Sequence, residues 1–403
     1  MRHIPRAKVS GPLAPFADGF RARLDSLGYT RGSTEFKIGQ VARLSTWLEC
    51  QALEVGDLSS ARVETFLGDL PASRNQLRSA RSLRPLMEWL RAEGQISDDP
   101  PQEPRADDDL IDRYRSWMVT DRGLAARTVV RYEKAARSFL GWRARAAGGG
   151  TGVEGLDAAS VTAYLLAEVA RGLSPGSLQG RVAELRSFLR FCYLQGWTRL
   201  PLTEAVPPVP GWKDTAVPVS LGAADVATLL ASCDRTKPTG MRDFAMLMLL
   251  ARLGLRAAEV GGLRLSDFDW RGGELVVHGK ARRNDRLPLP ADVGEAVATY
   301  VIEARPKSTW DNVFLTAVAP PRPMGSTTVS QTVWRQCRLA GLVPVRAHRL
   351  RHALATDLLG HGFTLPEIAE LLRQADLATT AVYAKVDHVA LRELALPWPA
   401  ALR

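Results

Sequence analysis

Apolar residues recur at i, i+3, i+4 and i+7 through the first half of the chain, as at Leu83, Leu86, Met87 and Leu90. That spacing lines one face of an α-helix. The helical blocks close at a glycine, the residue that most easily takes the left-handed backbone that stops a helix. Sliding the sequence along itself uncovers a repeat. Residues 33–94 match 128–196, with Ser33 to Trp47 spaced like Thr128 to Trp142, LSSARVETFL falling on LDAASVTAYL, and LRPLMEWLRAEG falling on LRSFLRFCYLQG. Two units are too few for a solenoid, so a duplicated small binding domain is the better account. The Pro- and Asp-rich stretch 97–109 separates the units, and PLTEAVPPVPGW closes the second. The expected domains are therefore a helical domain over 1–96, a linker over 97–109, a second helical domain over 110–205 and a distinct domain over 206–403.

The last domain changes character. VSLGAADVATLLASC predicts a helix capped from Ser220, and RDFAMLMLLARLG a buried helix ending at Gly254. ELVVHGKARRNDRLPLP alternates like two strands about a polar turn, which predicts a hairpin. Helices are expected at 291–304, 326–340, 347–359, 366–373 and 387–395, with a short strand at 313–316. The fold class is mainly α with a small antiparallel sheet in this α+β domain, preceded by two all-α domains.

Composition adds a direction. The 403 residues hold 53 Lys and Arg against 43 Asp and Glu, a net charge of +10 that suits a polyanionic partner, although an Arg-rich solvated surface gives the same sum. Four cysteines, at 50, 192, 233 and 337, form no metal-binding spacing and fit a reduced compartment. The opening MRHIPRAKVSGPLAPF lacks the apolar core of a signal peptide, and the apolar stretch near Phe244 to Ala251 is too short to span a bilayer, so the expected location is cytoplasmic.

Polar residues of the last domain follow a readable order. Arg256 lies just past Gly254 in RLGLRAAEV; Lys280 lies in the hairpin turn VHGKARRNDR; His348 and Arg351 lie three apart in HRLRH, on one helix face; Gln374 and Tyr383 lie in LLRQADLATTAVYAKV. In that conjunction the segments resemble the tyrosine recombinase family, phage-type integrases included, over roughly residues 213–395, and the upstream helical units are similar to that family's core-binding domains. The run YAKVDHVALRELALPWP is similar to integrases of mobile elements, including those encoded in recombinase trios.

The chemistry of these groups supports the same reading. Two guanidiniums, Arg256 and Arg351, suit the non-bridging oxygens of a phosphodiester in transfer without any metal. A lysine on a hairpin, Lys280, suits the general acid for the departing 5′-oxygen. Tyr383 is the expected nucleophile, and its phenol, with an ordinary pKa of about 10, needs a proton acceptor such as His348. No cofactor or metal is expected, since the motifs bring no carboxylate cluster suited to Mg²⁺. One position departs from the family. Where an L-G-H string is usual, this chain has Arg373 and Gln374, and a Gln positions a phosphate but carries no proton.

Other groups invite functional readings beside blander ones. His361 reads as a turn residue, His352 as a helix neighbour of His348, and His278 either as a phosphate contact or an exposed strand residue. Glu259 reads as an orienting partner of Arg256 or an ordinary surface charge, and the tyrosines at 29, 114, 132, 164, 193 and 300 mostly as core or groove residues. The Arg-rich faces at 74–84 and 186–190 are either phosphate-tracking or merely solvated. The expected partner is double-stranded DNA, and the resemblance implies a homo-tetramer on it, with assembly alongside sister recombinases left open; no membrane is involved. A type IB topoisomerase and an accessory DNA-binding protein derived from a recombinase remain as alternatives, the latter motivated by Gln374.

Overall fold

The computed structural model describes residues 6–70, 80–99, 107–146, 152–208, 221–279 and 284–373. The chain divides into two compact units, Pro100–Thr215 and a larger one made of Met1–Asp99 with Ala216–Arg403. No helix among the described residues is long and apolar enough to cross a membrane.

The smaller unit is a bundle of α5 (Asp108–Thr120), α6 (Ala126–Arg145), α7 (Ala158–Ala170) and α8 (Pro175–Leu194). Its core is aromatic: Tyr114 packs edge-on to Phe188 with centroids 5.2 Å apart, and Phe139 on Tyr164 at 5.0 Å. The Tyr114 hydroxyl, cut off from water, donates to Ser187 Oγ at 3.0 Å. Asp157 and Ser174 start α7 and α8 by accepting the backbone N–H of Ser160 and Ser177.

Among the described residues the larger unit contains two large apolar cores and a small third cluster of Ala355, Ile368 and Leu372. The first belongs to α1 (Ala17–Ser26), α2 (Arg31–Cys50), α3 (Ser60–Asp69) and α4 (Ala80–Ala92), and includes Phe20, Ile38, Leu44, Phe66, Leu86 and Leu90. Helices α2 and α6, which open the two matched segments of the sequence, are both twenty residues long.

The second core belongs to the mixed domain: α9 (Ala223–Ala231), α10 (Pro238–Arg252), α11 (Ala257–Gly262), strands β1 (Phe268–Asp269), β2 (Glu274–His278) and β3 (Asn284–Pro288), then α12 (Ala291–Thr299), α13 (Ser326–Leu339), α14 (His348–Gly360) and α15 (Leu365–Leu371). Ala245 to Leu250 of α10 are buried without a break, the pattern of a helix enclosed on every side. The strands form one antiparallel sheet in the order β1-β2-β3, with Leu275 and Val277 turned into the core and His278 opposite Asn284 at its outer end.

Several expectations are revised. The first helix of this domain starts at Ala223, where the Asp225 carboxylate accepts the Gly222 N–H at 3.1 Å, rather than from Ser220, which lies outside the described residues. The helix expected over 291–304 ends as a π turn over Tyr300–Ala304. No strand forms at 313–316. The Val313 N–H bonds to Leu263 O and the Phe314 carbonyl accepts from Met324, while Leu315 makes an isolated bridge to Pro323, which has no N–H with which to extend a ladder. Strand β1, only two residues long, had no signal in the sequence. The helix expected over 387–395 lies outside the described residues.

Candidate active site

The site is assembled around the end of α10. Gly254 turns the chain with φ +58°, and a Cβ there would lie 2.6 Å from Leu372 Cδ2 and 3.0 Å from Leu354 Cδ2. Both the left-handed backbone and the close packing require glycine. Two residues on, Arg256 opens α11. Glu259, in the first turn, folds back so that its carboxylate accepts the Arg256 backbone N–H at 2.8 Å and the Arg256 Nη1–H at 2.7 Å.

Arg351 reaches the same turn from α14. It is 1% exposed, and it donates from Nη1 to the Gly254 carbonyl at 2.6 Å and from Nη2 to the Leu372 carbonyl. A buried cation is tolerated only with such partners. Arg256 Nη2 in turn donates to the neighbouring Arg373 carbonyl at 3.4 Å. Arg351 thus ties both the Gly254 turn and Leu372 to α14, and Arg256 ties the same turn to Arg373, through two guanidiniums of different exposure. The Arg256 side chain is 42% exposed and open to an incoming anion, whereas Arg351 is turned towards main-chain carbonyls and shielded from solvent.

His348 lies one turn before Arg351 on the same helix face. Its ring reaches solvent, yet partial loss of hydration, followed by the charges of Arg351, Arg349 and Arg256, holds its pKa below the usual histidine value. The ring is therefore a neutral acceptor at physiological pH. His352 packs edge-on to it with centroids 4.4 Å apart, and burial, then His348, Arg349 and Arg351, push its pKa down to about 4.

Arg256 and the His348–Arg351 pair, far apart in sequence, accordingly meet at one place. Lys280, Gln374 and Tyr383 lie outside the described residues. Chain connectivity puts Lys280 in the short connection between β2 and β3, and Gln374 directly after Arg373. The outer end of that hairpin is closed by His278, whose Nε2 lies 2.9 Å from Asp267 Oδ1 and whose Nδ1 lies 2.8 Å from Asn284 Oδ1. These two partners, Asn284 first, raise its pKa.

His361 ends α14, with Nδ1 2.7 Å from the Asp357 carbonyl. Tyr114, Tyr164 and Tyr300 are core residues, whereas Tyr193 is exposed. Of the Arg-rich faces, Arg186 donates to the Val206 carbonyl at 2.7 Å and Arg84 pairs with Glu88 at 2.6 Å, so both side chains already have internal partners. Residues 74–79 lie outside the described residues. A cavity of ≈ 1150 Å³ in the larger unit is lined by Lys37, Arg84, Arg242, Arg322, Arg335 and Arg346, among other residues, a cationic wall that ends two residues before His348.

The sequence did not single out Arg373 as a site residue. Its backbone is left-handed, with φ +54°. Its side chain, 8% exposed, donates from Nη2 to Glu259 Oε2 at 3.0 Å and lies with Nε 3.8 Å from Asp285 Oδ2 on β3. The one available signal was an arginine standing where the family's string has glycine.

Residues 220–389 match the family model described as the phage integrase family, and residues 111–196 match the phage integrase N-terminal SAM-like domain. A Sinorhizobium fredii protein, carried under the provisional name integrase/recombinase y4rA, is 37% identical over 394 residues, 96% of this chain and 95% of the relative. The chain belongs to the tyrosine recombinase family. Tyrosine recombinase XerD of Listeria monocytogenes serotype 4b is 30% identical over 299 residues, 71% of this recombinase and 97% of that protein. Among solved structures, the XerH site-specific recombinase in its post-cleavage complex with a palindromic difH substrate has the same fold, with TM-score 0.55 and 16% identity over 99% of both chains. A lambda integrase dimer bound to a core site, at TM-score 0.53 and 17% identity, covers 68% of this chain and 94% of its own. The protein is a site-specific DNA recombinase of the tyrosine type.

Proposed function

We propose that this recombinase cuts and rejoins duplex DNA through a 3′-phosphotyrosyl intermediate, without metal or ATP, in the integration or transposition of a mobile element. The observation that carries the reading is the meeting of Arg256, His348 and Arg351 around the Gly254 turn. Tyr383 Oη attacks the phosphorus and passes its proton to neutral His348. The bond from phosphorus to the 5′-oxygen breaks, and Lys280 protonates the leaving oxygen. The phosphodiester energy is conserved in the new ester, so a 5′-hydroxyl of another strand reverses the step. Arg256 meets the phosphate directly. Arg351 joins it once the Leu372 carbonyl moves aside, and Gln374 contributes a hydrogen bond.

In this reading helical domains over 1–96 and 110–205 hold the duplex against a catalytic domain over 206–403. The net charge and the cationic cavity wall support a polyanionic substrate. The XerH complex with its difH substrate supports DNA as the partner, and a lambda integrase tetramer bound to a Holliday junction supports a tetramer on it. Such a substrate places the work at the nucleoid, in the cytoplasm. The shielded Arg351 and the Gln at 374 favour a second reading, an accessory protein that binds without cutting.

A pool of nicked duplexes with a randomised core separates the two. Covalent adducts that survive denaturant and vanish in Tyr383→Phe support strand transfer. Retained duplex with no adduct supports the accessory role. Exchange between two distinguishable duplexes then separates a recombinase from a topoisomerase.

A further inference from the structure

Two segments converge on one carboxylate. Glu259 sits in the first turn of α11 with its side chain 5% exposed, and it receives Arg256 on Oε1 and Arg373 on Oε2. An isolated buried carboxylate is costly, and either guanidinium alone would offset it. Two are present, and the second arrives from the segment that immediately precedes Gln374. Arg373 also faces Asp285 of β3, one residue from the connection that carries Lys280. Its Nη1 finds no hydrogen-bond acceptor among the described residues. The same arginine occupies a left-handed backbone position that glycine would take without strain, so its side chain is retained against a local conformational preference.

We propose that Arg373 is a positioning residue of the strand-transfer site, fixing the Arg256 guanidinium and strand β3 relative to each other through Glu259 and Asp285. The inference rests on the strand-transfer reading above. Arg256 alone is held by a short helix turn and a long carbonyl contact. Sharing Glu259 with Arg373 removes the freedom of that carboxylate to swing, and the reach to Asp285 ties in strand β3. The histidine usual at 374 is absent, and Gln374 follows directly on this paired arginine.

Arg373→Gly and Arg373→Lys test the proposal. Glycine suits the backbone and leaves the turn able to fold. With saturating nicked duplex from adducts recovered out of the randomised pool, the single-turnover rate of adduct formation in Arg373→Gly should fall on the order of 10- to 100-fold, the cost of misplacing a reacting group by about 1 Å. Duplex Kd and its salt slope should stay unchanged, and Arg373→Lys should recover part of the rate. Without DNA, amide exchange at Arg256 and along β3 should quicken in Arg373→Gly. Unchanged cleavage with unchanged exchange overturns the inference. A weakened Kd with a shallower salt slope also overturns it, making Arg373 a direct phosphate contact. Should the wild-type protein form no Tyr383 adduct with any duplex, the strand-transfer reading fails, and amide exchange still decides whether Arg373 holds Arg256 in place.

Discussion

Replacing Gly254 with alanine adds one methyl group at the point where the Arg256 turn, α14 and the end of α15 touch. The new Cβ would sit 2.6 Å from Leu372 Cδ2 and 3.0 Å from Leu354 Cδ2, both inside normal contact distance, on a backbone with φ +58°. A left-handed non-glycine residue costs about 1–2 kcal/mol, and forcing a methyl group into a packed site about 1–3 kcal/mol. The substitution should therefore destabilise the catalytic domain by roughly 2–5 kcal/mol. The slowest-exchanging amides of α10, enclosed in the core, report that quantity. They should exchange roughly 30-fold to several-thousand-fold faster, at about 1.4 kcal/mol per factor of ten. A second substitution isolates the cause. Leu372→Ala opens a cavity of its own, but in Gly254→Ala/Leu372→Ala it also removes the closer clash, so the two losses should fall short of their sum by about 1 kcal/mol or more. Strict additivity, or a cost below about 0.5 kcal/mol for Gly254→Ala, the range of ordinary surface changes, would refute the argument that this glycine is required by contact and backbone together.

Three further outcomes follow from the same geometry. Arg351→Lys replaces a fork that serves two carbonyls with a point donor, so one of Gly254 O and Leu372 O loses its partner and stability should drop by about 1–3 kcal/mol; an unchanged urea midpoint would contradict this. His352 takes a proton as pH falls through 6.5 in the unfolded chain but resists until about 4 when folded. The unfolded state therefore binds more protons in that window, and stability should decline as pH drops from about 6.5 towards 4. His352→Gln should flatten the decline, and an unaltered pH slope would count against it. His278 has the opposite sign, because its raised pKa lets the charged form hold Asp267 and Asn284. Its contribution is complete below its unfolded value of 6.5 and fades as pH rises through the folded one. Amide exchange along β3 should quicken on going from pH 6 to pH 8 after correction for intrinsic rate, and the added increment should vanish in His278→Ala.

Much of this molecule is legible in one dimension. Helical periodicity, the duplicated bundle, the hairpin and the order of Arg256, Lys280, His348, Arg351 and Tyr383 are properties of local spacing, and local spacing is what dictates which face of an element is apolar and which residues share it. The three-residue step from His348 to Arg351 already placed both on one side of α14. Tertiary structure decided the rest. Whether 313–316 becomes a strand depends on where its backbone finds partners, and those come from Leu263 and Met324, on opposite sides in sequence. Whether Arg351 is open or enclosed depends on the carbonyls of Gly254 and Leu372, atoms that every residue carries and no sequence pattern distinguishes. The role of Arg373 is invisible for the same reason. Glu259 lies 114 positions away, and only folding brings a buried carboxylate within reach of two guanidiniums, at which point desolvation makes their pairing strong enough to shape the site.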